Sequence, residues 1–185
     1  MMQIKTFIKQ LHEVGDPSID AQSIKDAKNV WSLFRQAEGL AKASPPLLTP
    51  PTANIKLNKG EVINYGLSLS PERVSGVVNL CPWSTAGCRN LCINVSGNGY
   101  YPKIQKSRII KTKFAVEFPK EFLTLLKSEI LSAKDEADAS GDKLGIRLNV
   151  FSDVPWEQAI PWVFELDRNI QFYDYTKNFN RDDLP

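Results

Sequence analysis

The chain of 185 residues has one histidine, His12, and three cysteines, Cys81, Cys88 and Cys92. A lone imidazole with no second one at ligand spacing excludes a zinc site built on paired histidines. An odd number of cysteines behind a start that lacks an apolar core and a small-residue cleavage site argues against a disulfide framework. Charge of one sign is missing as well: 23 Lys and Arg stand against 21 Asp and Glu, so no global field draws nucleic acid or a membrane. No apolar run approaches the roughly 18 residues that span a bilayer. The glycine-rich stretch 95–99 matches neither the P-loop nor the dinucleotide fingerprint. What remains, with hydrophobic residues at 42% and charged residues at 24%, is a globular mixture rather than a disordered one. The expected compartment is the cytoplasm, with no membrane partner.

Periodicity divides the chain. Ile4, Phe7, Ile8, Leu11 and Val14 recur at helical spacing until Gly15 and Pro17 stop them. A second helix is predicted over about residues 18–42, with a stripe of Ile24, Ala27, Val30, Trp31, Phe34, Ala37 and Leu40. Residues 44–52 then hold four prolines in nine positions, which favours extended geometry and excludes helix and central strand. The expected organisation is a helical segment 1–43, a proline-rich linker 44–59 and an α/β domain 60–185. Within that domain strands are predicted over 63–69, 144–151 and 170–175, with a short apolar run at 77–80. Helices are predicted over 106–114, 119–139 and 155–166, the last kinked at Pro161. Strands alternating with helices predict a parallel sheet of βα units, barrel-like and partial. A crossover helix after the last strand is missing, which places that strand at an edge or makes the chain the front part of a longer protein.

All three cysteines fall within residues 81–92, spaced C-x6-C-x3-C, with Pro82 and Gly87 letting the loop fold back. Clustered thiolates suit a soft ion. Three of them without a fourth Cys or His fit an iron–sulfur cluster with one open iron, or zinc completed by a carboxylate or water. Three unmetallated thiols packed as small core side chains are the remaining reading.

Several blocks in order carry a resemblance: Leu67-Ser-Leu-Ser-Pro71, Asn79-Leu-Cys-Pro-Trp-Ser-Thr-Ala-Gly-Cys88, Cys92, Arg108 with Lys111-Thr112, Arg147-Leu-Asn149, Ser152-Asp153-Val-Pro-Trp-Glu157, and Phe172-Tyr-Asp-Tyr-Thr-Lys177. Over about residues 63–177 the chain resembles the bacteriophage gene product 88 domain family. The resemblance implies a phage or prophage protein in a bacterial host, of unassigned biochemical role. Members continue past the final block, so the chain reads as shorter than they are. At the level of fold, three cysteines after an early strand are also similar to radical S-adenosylmethionine enzymes, which implies that molecule as a possible companion of the cluster. The spacing departs from their C-x3-C-x2-C, and Leu91 stands where they favour an aromatic.

Ligands of parallel βα architectures gather beyond the carboxyl ends of strands. That places Asp153, Asp174 and Lys177 as candidate catalytic groups, with Asn149 and Ser152 as binding groups beside them. Asp153 has a competing role as a helix cap. Asp174, inside Phe-Tyr-Asp-Tyr, needs a partner if its strand is buried, and Lys177 or Arg147 would serve. Residues 103–113 carry five cations and no acid. Arg108 and Lys111 among them are candidates for phosphate of a nucleotide or nucleic acid, against a plain solvated helix face. Two functions follow: a phage protein with a three-cysteine metal site, an enzyme of iron–sulfur type acting on an unidentified small molecule, or a non-enzymatic accessory protein that binds nucleic acid or host protein and uses its cysteines structurally.

Overall fold

The computed structural model describes residues 1–53 and 62–178. Helix α1, Ile4–Val14, buries Phe7 and Leu11 and ends at Gly15, whose φ of 68° only glycine adopts without strain. Helix α2, Ala21–Ala37, opens on Asp20, whose carboxylate accepts the Ser23 N–H at 2.8 Å. It is shorter than the stripe predicts, because Gly39 takes a left-handed φ of 74° and turns the chain away. Trp31 of α2 packs 4.7 Å from Phe114, between ring centroids, and Phe34 lies 5.5 Å from Phe118. Phe114 belongs to α4, Pro102–Glu117, and Phe122 to α5, Pro119–Ser140. The N-terminal helices thus share one core with the rest of the molecule.

Among the described residues four strands form the sheet: β1 Leu48–Thr49, β2 Val62–Leu67, β3 Lys143–Arg147 and β4 Ile170–Phe172, in the order β1-β2-β3-β4. The pairs β2–β3 and β3–β4 are parallel, as the alternation of elements predicts, and β1 adds an antiparallel edge. The fold is α/β with a mixed sheet, and among the described residues no pairing of β1 with β4 closes it into a barrel.

Strand β1 lies inside the proline-rich stretch. Proline is tolerated at a sheet edge, where its missing N–H costs no ladder bond. Leu47 and Leu48 are buried there, and α5 supplies the anchor. The Glu129 carboxylate accepts the N–H groups of Leu47 and Leu48 at 2.9 and 2.8 Å, while the Lys111 ammonium donates to the Leu47 carbonyl at 2.5 Å. The stretch expected as a linker is, over residues 47–49, clamped into the domain. Its last part, residues 54–59, lies outside the described residues.

Three further differences have local causes. Residues 77–80 are not a strand of the sheet; they make a single parallel bridge, Val78 with Met2, after a turn at Gly76. The strand expected over 144–151 stops at Arg147, because Asn149 diverts the backbone into a loop of its own. The helix expected over 155–166 divides into α6, Trp156–Ala159, and a 3₁₀ segment, Pro161–Glu165, since Pro161 has no N–H to continue the α pattern. An open cleft of about 750 Å³, lined by Lys134, Asp138, Asp142, Lys143 and Phe172 among others, sits where β3 and β4 begin.

Candidate functional site

Because β2, β3 and β4 run parallel, the loops that leave Leu67, Arg147 and Phe172 share the opposite edge of the sheet. Backbone bonds draw them together. Val150 N–H donates to the Leu67 carbonyl at 3.2 Å, and Asp153 N–H to the Leu80 carbonyl at 2.8 Å. Lys177 N–H donates to Oδ2 of Asp153 at 2.9 Å. The cysteine loop, the 148–155 loop and the segment after β4 therefore meet at Asp153, which is itself buried.

Cys81 enters this junction first. Its N–H is held by Oδ1 of Asn79 at 3.0 Å, and its Sγ donates to the Phe151 carbonyl at 3.5 Å. Burial, with the negative charge of Asp153, Cys92 and Cys88 nearby, pushes the thiol up to about 12, against a lowering hydrogen bond from the Glu72 backbone. Cys88 lies on the short helix α3, Ala86–Asn90, capped by Thr85, whose Oγ1 accepts the Cys88 N–H at 3.1 Å. Cys92 follows at the start of a 3₁₀ turn, Ile93–Val95. All three thiols are free and half-buried. Among the described residues no group of three His, Cys, Asp or Glu side chains stands ready-made to hold a metal ion. In this conformation the loop brings the sulfurs within electrostatic reach of one another without gathering them on one point.

Arg108 of α4 underlies the loop. Its Nη1 donates to Oδ1 of Asn94 at 2.5 Å, and its guanidinium lies 3.7 Å from the centre of the Phe151 ring. Burial lowers its pKa, and the Cys92 thiolate opposes that shift. Lys111, one turn on, faces β1 instead: burial pulls it down to about 8, with Glu129 acting against the shift. The basic stretch is therefore not simply a solvated face. Two of its cations point inward, one to the cysteine loop and one to the edge strand.

The remaining candidates are placed as follows. Asn149 is buried and bonded at both ends of its amide: Oδ1 accepts from Ser152 Oγ, Val154 N–H and Trp156 Nε1 at 2.8, 2.9 and 3.0 Å, and Nδ2 donates to the Val154 carbonyl at 2.8 Å. Ser152 is bonded within the same knot. Asp174 accepts its neighbour Tyr175 N–H at 2.8 Å and faces Arg147 Nε at 3.8 Å, so Arg147 is a cationic partner of its carboxylate. The Arg147 guanidinium also lies 4.9 Å from the Tyr175 ring. The Lys177 side chain is exposed. Two residues that organise this end of the fold escaped the sequence reading. Glu129 left a faint signal, an acid one position before the buried Ile130, and Asn94 left none beyond the formal sequon Asn94-Val-Ser96.

No curated protein and no solved structure matches the chain, and nothing in the comparisons supports the likeness to radical S-adenosylmethionine enzymes. The family model described as gene product 88 matches residues 31–184. That range begins at Trp31 of α2 and takes in the whole sheet and the cysteine loop. The blocks that carry the sequence resemblance all lie inside it, and the chain belongs to the phage gene product 88 family.

Proposed function

We propose that the carboxyl edge of the sheet is a soft-metal centre ligated by Cys81, Cys88 and Cys92, with an iron–sulfur cluster as its leading form. Zinc completed by a carboxylate is the alternative, and Asp153 is the carboxylate best placed for it. The observation that carries the reading is the loop itself. It concentrates every thiol of the chain, each half-buried and free of disulfide, beside a buried carboxylate. Ligation requires each thiol to give up its proton, and a bound soft cation supplies the charge that offsets the resulting thiolates beside Asp153. The helix α3 is short and exposed, so its Cys88 has room to close on an ion that Cys81 and Cys92 already hold.

The surrounding groups suit such a centre. Arg108, fixed by Asn94 and Phe151, places a permanent positive charge near Cys92 and offsets the charge of a thiolate-rich complex. Asp174 with Arg147, and the exposed Lys177, stand on the adjoining segment as the groups for proton transfer and for an anionic substrate. Asn149 and Ser152 support Asp153 by shaping the loop that presents it.

Anaerobic purification with metal analysis tests the proposal. A brown protein absorbing near about 400 nm indicates the cluster, and colourless protein with stoichiometric zinc indicates the alternative. In either case replacing any one cysteine by Ala removes most of the metal. Metal-free protein whose three Cys→Ala variants behave alike refutes the centre in both forms.

A further inference from the structure

The near-neutral net charge conceals a polar distribution. Residues 73–116 carry seven Lys and Arg, and all 21 Asp and Glu of the chain lie elsewhere. Some of the seven are already engaged: Arg108 and Lys111 are buried, Lys113 pairs with Glu38 at 2.8 Å, and Arg89 stands 3.6 Å from Glu72. Lys103 and Lys106 are exposed in the first turns of α4.

Beside these lysines the chain builds an apolar knob. Leu91 is 85% exposed, Ile93 55%, Val95 52%, Tyr100 69% and Tyr101 59%. The knob is held firmly from within. Its two 3₁₀ turns, Ile93–Val95 and Gly97–Tyr100, cross at Gly99, where a Cβ would stand 2.7 Å from the Ile93 carbonyl oxygen and 2.9 Å from that of Asn94. Asn94 is anchored below by Arg108, and the Ile104 and Gln105 N–H groups both return to the Tyr101 carbonyl at 2.9 and 3.1 Å. Two consecutive tyrosines are thus presented outward on a rigid base, next to the exposed Lys103 and Lys106, the second of which donates to the Gly39 carbonyl at 3.4 Å, and with no acid in the sequence around them. Exposed apolar side chains clustered on one pair of turns and rimmed by charge are the signature of an interaction site.

We infer that this surface binds single-stranded nucleic acid with little sequence preference, in addition to any role of the metal centre. The charge selects a polyanion, and the rings select one with open π-faces. Duplex DNA offers the phosphates but hides its base faces in the stack. A single strand offers both at once, so Tyr100 and Tyr101 stack on bases while Lys103 and Lys106 meet the phosphates. Leu91, Ile93 and Val95 supply apolar contact to bases and sugars alongside.

Fluorescence anisotropy of the full chain with a labelled oligothymidylate of about 15 nucleotides tests the inference. Binding is expected at low salt, weakening as salt rises. The double variant Lys103→Gln/Lys106→Gln should flatten the log–log salt slope by about 1.4, the share of two single-strand phosphate contacts. Tyr100→Ala and Tyr101→Ala should each weaken binding by about 5- to 150-fold, with the circular dichroism spectrum unchanged because both side chains are exposed. Leu33→Ala, an exposed apolar change on α2, should leave the affinity as it is. Absence of binding at low salt overturns the inference. So does affinity indifferent to both tyrosines, equal binding to a blunt duplex, or preferential flotation with vesicles rich in phosphatidylserine, which would assign the surface to a lipid headgroup.

Discussion

Replacing Asn149 by Ala separates a structural amide from a ligand-binding one. In the folded protein this side chain receives three hydrogen bonds and donates one, all within residues 149–156 and all buried. The variant leaves the Ser152 hydroxyl, the Val154 N–H, the Val154 carbonyl and the Trp156 indole N–H without that partner. A buried polar group left unsatisfied costs about 1–3 kcal/mol. Ser152 can turn its hydroxyl elsewhere, and a water can enter the space of the lost amide, so the four costs do not simply add. The expected loss is about 3–5 kcal/mol, at the diagnostic end for one substitution. Urea unfolding followed by tryptophan fluorescence measures it, since Trp156 reports on the knot directly. Asn149→Asp keeps the acceptor and removes only the donor to the Val154 carbonyl. It should therefore lose less than the Ala variant, although a carboxylate buried there adds its own desolvation cost. An Asn149→Ala loss below about 1 kcal/mol refutes the reasoning and returns the amide to the candidate binding groups.

Two other expectations follow from the same geometry. Lys111 titrates near 8 in the fold because of burial, against its ordinary 10.5. Between those values the unfolded chain binds more protons, so this group makes stability rise with pH across that window, and its full cost is present below it. Lys111→Met lacks the titration, so the stability difference should shift toward the native sequence by a few kcal/mol from about pH 7.5 to about pH 10.5; urea midpoints that keep a constant separation contradict it. Gly99→Ala sets a methyl against two backbone carbonyl oxygens that cannot swing aside as a flexible side chain would. It should cost about 1–3 kcal/mol and open residues 91–104 to limited proteolysis, whereas an unchanged digestion pattern shows that the turns do not cross so tightly.

Local signals in the sequence specify the helices and the parallel strands, because those elements are made by short-range chemistry. Gly15 and Pro17 end α1, Pro119 opens α5, and Gly141 closes α5 in a left-handed turn at φ 75°, whereas α4 begins at Pro102, four residues before the start read from the sequence. The clustering of Cys81, Cys88 and Cys92 is equally local, and so is the parallel direction of β2, β3 and β4, which follows from helices lying between strands. Three decisions needed the third dimension. Residues 47–49 become an edge strand rather than a linker only because Glu129 and Lys111 approach them from helices some 65 to 80 positions away. Arg108 and Lys111 are three residues apart in one basic run, and their different roles depend on what α4 packs against: Phe151 and Asn94 on one side, β1 on the other. Asn149 looked like a binding group because it follows a strand, yet its amide is claimed by Ser152, Val154 and Trp156 once the loop closes. A sequence displays which polar groups exist; burial decides which of them must find a partner inside the protein and which remain for a ligand.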